Sequence, residues 1–217
     1  MRIVALSIFL LVALLSSAAT NTVELPVETF FRYPELSQMS LAPDGKYLAA
    51  IAYDRTNSFL FGINLQSGER KAIFTGGVYH FRWLTNERLL FWAGGVGAGG
   101  LYAINRDGSK VKVLQLPYVT QILKSYSLHL QLVELLSVPP DHSDTMLIER
   151  SEYYLSERMK WPHPEVRRVN FITGKTSLEE KNPGNVVAWR ADSESVIRAG
   201  LVVEGAKVKI LYRRDEQ

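Results

Sequence analysis

A proline–aspartate–glycine corner that runs straight into an uninterrupted apolar stretch limits the folds open to this chain more than any other feature. The stretch is Leu41-Ala42-Pro43-Asp44-Gly45-Lys46-Tyr47-Leu48-Ala49-Ala50-Ile51-Ala52. Pro43 presets φ at the first corner, the Asp44 carboxylate can bond its own backbone, and Gly45 takes the position that penalises a side chain. Tyr47 to Ala52 carries no charge. Such a run is expected of a strand covered on both faces, and a one-faced strand would alternate instead.

Weaker copies follow in the same order. The first unit predicts strands over Gln38–Leu41, Tyr47–Tyr53, Ser58–Leu65 and Arg70–Phe74, with turns at Asp54–Asn57 and Gln66–Glu69. The second predicts strands over Tyr79–Leu84, Arg88–Trp92, Leu101–Asn105 and Lys110–Leu116. In the last of these Lys and Val alternate, and outward lysines are expected of an exposed edge strand. The turns ending at Gly68 and Gly108 lie roughly 40 residues apart, the period of a four-stranded propeller blade. A stretched third unit has strand-like Leu130–Ser137, a turn over Pro139–Asp144 and a buried strand at Thr145–Glu149. Ser151 to Pro164 then intrudes, and the repeat resumes at Val166–Phe171. Residues 118–129 read as a loop or short helix. The fourth unit opens at Asn185–Asp192, where Trp189 echoes Trp83, continues over Ser195–Val203 and Lys207–Arg213, and lacks a fourth strand. The expected fold class is all-β: a partial, open β-propeller of roughly three to four four-stranded antiparallel blades over residues 36–217.

The N-terminus has a different character. Arg2, the apolar core Ile3–Leu15 and the small residues Ser17-Ala18-Ala19 form a secretory signal peptide over residues 1–19, with cleavage expected after Ala19. That core is shorter than the ~20 residues needed to span a bilayer. The protein is therefore expected to be exported, to periplasm or medium, with no membrane attachment after cleavage. Residues 20–35 form a lead-in segment dense in aromatics: Phe30, Phe31 and Tyr33. These either plug the surface of the first blade or dock on a second domain.

Composition excludes several classes. The sequence has no cysteine, which removes disulfides, thiolate metal sites and a cysteine nucleophile together. A formal charge of +3 with scattered Lys and Arg lacks the basic stripe of a nucleic-acid binder.

The residues themselves also carry a family likeness. Val27-Glu28-Thr29-Phe30-Phe31-Arg32-Tyr33-Pro34-Glu35 followed by Leu41–Ala49 resembles the start of exported prolyl oligopeptidase-family serine peptidases of the dipeptidyl- and acylaminoacyl-peptidase type. The likeness returns at Arg88–Phe91, Leu101–Gly108 and Asn182–Trp189, and it is weakest over residues 118–164. The resemblance implies a propeller that restricts access to an α/β-hydrolase domain, with Ser, Asp and His all in that second domain. It implies that this chain is the first half of such a gating propeller, truncated before the peptidase domain. Its partners would then be peptides or a hydrolase domain, and expressed alone it would aggregate or need a partner.

A search for chemistry in the residues finds none. There is no G-x-S-x-G elbow. Asp141-His142-Ser143-Asp144 holds the residue types of a triad, but adjacency is the wrong geometry, because triad members converge from separate segments. Gly95-Val96-Gly97-Ala98-Gly99-Gly100 matches a dinucleotide fingerprint, yet the residues after it read as a strand where a helix is needed. His80, His129, His142 and His163 show no metal-ligand spacing. No catalytic, metal-binding or cofactor-binding residue is expected, and no cofactor. The candidate contact surface is the insertion carrying Tyr153, Tyr154 and Trp161, which otherwise folds back as a lid on its own blade. Three functions remain: a non-catalytic peptidase fragment, a stand-alone protein- or peptide-binding module in the cell envelope, and an enzyme with an unseen site.

Overall fold

A computed structural model describes residues 35–54, 57–94, 99–116, 129–140, 143–154 and 163–214. The expected signal peptide and all of the expected lead-in before Glu35 lie outside them. Every regular element among the described residues is a strand, and within each sheet every strand pairs with the next in sequence. The first sheet is β1 (Leu36–Leu41), β2 (Tyr47–Tyr53), β3 (Ser58–Asn64) and β4 (Arg70–Thr75). The second is β5 (Val78–Trp83), β6 (Arg88–Ala93), β7 (Gly100–Asn105) and β8 (Lys112–Gln115). The third is β9 (His129–Ser137), β10 (Thr145–Tyr154), β11 (Glu165–Asn170) and β12 (Thr176–Glu180). The fourth is β13 (Val186–Ala191), β14 (Ile197–Glu204) and β15 (Lys207–Tyr212). All pairings are antiparallel.

The opening corner forms as its residues dictate. Gly45 adopts φ +69°, its N–H donates to the Ala42 carbonyl at 2.8 Å, and the Asp44 carboxylate accepts from the Lys46 N–H at 3.0 Å. The run that follows is buried at Ala49, Ala50, Ile51 and Ala52. The third strand of each of the first three sheets ends on an asparagine that shapes the next turn. Asn64, Asn105 and Asn170 accept through their carbonyls from the N–H groups of Gly68, Gly108 and Gly174. The glycines mark this turn in the sequence; the asparagines are its less visible half.

Two expectations are corrected. The lysine alternation of β8 has the right period and the opposite phase. Val111 and Val113 face solvent, whereas Lys112 is half-buried and Leu114 packs on the neighbouring core. The Lys112 stem lies across Gly174, where a Cβ would come within 2.5 Å of Lys112 Cε. A long aliphatic stem can cover apolar surface while its amine stays wet, so a lysine can occupy the inward phase. The second correction concerns the third sheet. Ser151 to Tyr154 do not interrupt it; they extend β10 and pair with Leu132, Gln131, Leu130 and His129 of β9.

The apolar residues collect into three clusters, each in the seam between consecutive sheets. The first contains Ile51 and Leu60 from one side and Phe81, Leu89 and Phe91 from the other. The second joins Leu90 and Leu101 to Met146 and Phe171. The third joins Leu147 and Val166 to Val186, Trp189 and Val202. Since one strand contributes alternate residues to opposite faces, Leu89 and Leu90 enter different seams.

Candidate functional site

The groups that sequence reasoning singled out for chemistry do not assemble. Ser143 Oγ lies 2.9 Å from Thr145 Oγ1, and Asp141 and His142 lie outside the described residues. Gly100 opens a strand, so no helix N-terminus follows the glycines to hold a pyrophosphate. Residues 95–98 of that loop are outside the described residues. His80 packs against Trp92 with ring centroids 4.9 Å apart and the rings tilted by 47°. Burial, and then Arg82, hold its imidazole below the usual histidine range. Among the described residues no group of His, Asp and Glu could hold a metal ion. Tyr153 and Tyr154 are the last two residues of β10, and Trp161 lies outside the described residues.

The polar side chains that the fold does bring together sit at the seams. At the first seam, Gln38 reaches the backbone edge of β5 that faces away from β6. Its Nε2 donates to the Phe81 carbonyl at 2.5 Å, and its Oε1 accepts from the Phe81 N–H at 3.3 Å. The side-chain amide thus substitutes for a neighbouring strand. Gln38 has φ +42° and sits where the β1–β2 register shifts, so a strained bulge aims the amide. Beside it, Trp83 Nε1 donates to the Ser40 carbonyl at 3.1 Å.

At the second seam Arg88 is buried. Its Nε and Nη2 donate to the Phe171 carbonyl at 3.3 and 3.0 Å, and Nη1 donates to Asn105 Oδ1 at 2.7 Å. Arg150 and Arg167 share the Glu165 carboxylate at 2.7 and 2.5 Å. All three lie on the face that also carries Ile148 and Val169, in register across β10 and β11.

At the third seam Trp189 occupies the role of Trp83. Its Nε1 donates to the Pro164 carbonyl at 2.7 Å, and its backbone N–H donates to Glu149 Oε1 at 2.6 Å. Sequence reasoning paired the two tryptophans by their place in the repeat; the shared hydrogen bond to the preceding sheet is its physical content. It missed Gln38 and Glu149, because a glutamine or glutamate within a strand carries no signal until its register partner is known.

Glu149 titrates unusually. Burial raises its carboxyl above the ordinary range, Glu134 opposite it adds to the effect, and the Trp189 N–H and Arg190 work against it. The folded protein therefore holds a proton on Glu149 at pH values where the unfolded chain, near an ordinary ~4.3, has released it. Between those two values the folded state binds more protons, so stability falls as pH rises. Glu149→Gln keeps an oxygen for the Trp189 N–H and removes the charge. We expect it to be as stable as wild type at acid pH and more stable at neutral pH. Melting curves of both proteins across a pH series check this, and curves that run parallel contradict it.

Solved structures place this geometry. The propeller domain of the Trilobed protease from Pyrococcus furiosus, described as having open velcro topology, matches 82% of this chain and 56% of its own, at TM-score 0.51 and 11% identity. The acylaminoacyl peptidase from Pyrococcus horikoshii matches 85% of this chain and 31% of its own, at TM-score 0.54 and 13% identity. The fold is a β-propeller. An oligogalacturonate lyase from Vibrio parahaemolyticus is similar to a comparable degree, over 83% of this chain and 52% of that one, at TM-score 0.51 and 11% identity. No family model matches the sequence, and no curated protein matches it. The propeller spans about a third to just over half of the solved chains it resembles. Its four sheets are consecutive blades, with β1, β5, β9 and β13 as the first strand of each.

Proposed function

We propose that this propeller is the non-catalytic, substrate-gating part of an exported prolyl oligopeptidase-like serine peptidase. The observation that carries the reading is the run of four consecutive meander blades, similar to propellers of two proteases. The sequence resemblance at Leu41–Ala49, Leu101–Gly108 and Asn182–Trp189 points the same way. In that family the nucleophile and its base belong to a hydrolase domain. Gln38, Arg88 and Glu149 each bond to the following blade, which gives these three seam groups a structural role. Export rests on Arg2, the apolar core Ile3–Leu15 and the small residues before Thr20. The purified chain is expected to leave aminoacyl and peptidyl esters and amides intact and to take no label from a serine-directed fluorophosphonate. Turnover that the fluorophosphonate blocks would show a catalytic serine within this chain and end the non-catalytic reading.

A further inference from the structure

We propose that a cavity in the second seam, beside Arg150 and Arg167, is a binding site for a halide ion, with chloride as its ordinary occupant. The inference concerns how two blades meet and stands apart from the peptidase reading.

Three observations carry it. The first is an orphaned donor. Arg150 Nη2 reaches Glu165 Oε1 at 2.7 Å, yet the Nε of the same side chain is buried and has no hydrogen-bond partner. No other side-chain nitrogen or oxygen among the described residues is in that position. A buried donor left unmatched is costly, and native proteins rarely leave one without a partner of some kind. The Arg150 side chain as a whole is 22% exposed, so an ion can reach it from solvent.

The second is room. A cavity of about 50 Å³ lies in this seam. Leu101 and Leu114 of the second blade line one side of it, and Val133, Ile148, Arg150 and Arg167 of the third line the other. A single water needs only about 10–15 Å³ of such space. The cavity is therefore large enough for an ion bigger than a water.

The third is charge. The cavity wall holds two guanidiniums and no carboxylate. Arg150 and Arg167 share a single oxygen of Glu165. The other acids on the strands of this blade are turned away or occupied. Glu134 and Glu149 lie on the opposite face. Glu179 holds Arg168, and Glu180 holds Arg213. Glu152 follows Arg150 on the same face, but it is exposed and forms no part of the cavity wall. No strand of the second blade carries an Asp or Glu. The acids in its turns, Glu87 and Asp107, bond Arg106 and the Ser109 N–H. Two cations that share one carboxylate in a partly desolvated seam favour an added anion.

The wall also selects the kind of anion. Most of it is apolar, and only the arginines bring charged donors. A tetrahedral oxyanion would present four oxygens, and each one left unmet in such a site is penalised. A halide has no directional lone pairs, is satisfied by few donors and tolerates aliphatic neighbours.

The test uses the full chain at constant ionic strength, with gluconate exchanged stepwise for chloride. The melting temperature is expected to rise and then level off, because an ion held only by the folded protein stabilises it by mass action. The chloride NMR line is expected to broaden in the presence of the protein and to sharpen when bromide is added. Arg150→Lys keeps the charge but removes the planar fork and its Nε–H, and it should weaken chloride binding about ten-fold. Glu165→Gln releases both arginines from their shared charge and should tighten binding about ten-fold. A seam merely loosened by substitution would not gain affinity. Equal melting in the two salts, a line that bromide does not sharpen, or wild-type affinity in both variants overturns the proposal. Water alone in the cavity would give the first of these results. If one variant does not fold, the wild-type salt exchange and the other variant decide.

Discussion

Replacing Arg88 by alanine is expected to cost about 4 kcal/mol, a large share of the ~5–15 kcal/mol that holds a domain folded. Arg88 is only 2% exposed. Its loss strands two acceptors, the Phe171 carbonyl and Asn105 Oδ1. Each buried group left unsatisfied costs about 1–3 kcal/mol, and the space vacated by the stem adds a cavity term. Arg88→Lys should recover less than half of the loss, because an ammonium cannot reproduce a planar fork that donates to both acceptors. The half-exposed Lys209–Glu204 pair is the contrast. Solvent and salt screen it, and Lys209→Ala should change stability by less than about 1 kcal/mol. Urea unfolding of the three variants checks the order, and an Arg88→Ala midpoint close to that of wild type would refute it.

Trp189→Ala is expected to be comparably damaging, at about 3–5 kcal/mol for a large buried aromatic. Here the neighbouring polar groups decide how much a milder change costs. The Pro164 carbonyl that accepts from Trp189 Nε1 also accepts from Asn182 Nδ2 at 2.8 Å. Trp189→Phe therefore keeps most of the volume and strands no acceptor, and it should cost roughly 1–2 kcal/mol. A phenylalanine variant as unstable as the alanine variant would mean that the indole hydrogen bond, and not the buried volume, holds the third seam. Guanidinium denaturation followed by far-ultraviolet circular dichroism separates the two cases.

The parts of this fold that were legible in the sequence are those governed by local chemistry. The Pro43-Asp44-Gly45 corner needs only its own side chains, and the strands of the first two sheets fall close to where their apolar runs place them. The phase of β8 was not legible. Which of Lys112 and Val113 turns inward depends on Gly174, about 60 residues later, leaving room for a lysine stem. The continuation of β10 through Tyr154 was hidden for a similar reason. Its partners, His129 to Leu132, are fixed only by the β9–β10 register, which the sequence does not state even where Leu130–Ser137 reads as a strand. The polar seam groups were the least legible. Gln38 matters because a bulge turns its amide toward Phe81, and Glu149 because its register sets it against the Trp189 N–H. The absence of a nucleophile elbow could be read directly, since that motif is contiguous.

The Gln38 amide on Phe81 has a consequence for how such a chain can evolve. Beside the tryptophans that the later blade supplies at the first and third seams, each seam has a fastener of its own kind: a glutamine at the first, an arginine at the second, and a glutamate at the third. In each case the fastening residue is carried by the blade that comes earlier in the chain. A blade duplicated or transposed elsewhere would arrive beside a neighbour lacking the residue that fits it. The blades look like copies in their turns and core strands, yet each is addressed to its successor. Their order is written in single polar side chains, and the apolar repeat that builds every blade is blind to it.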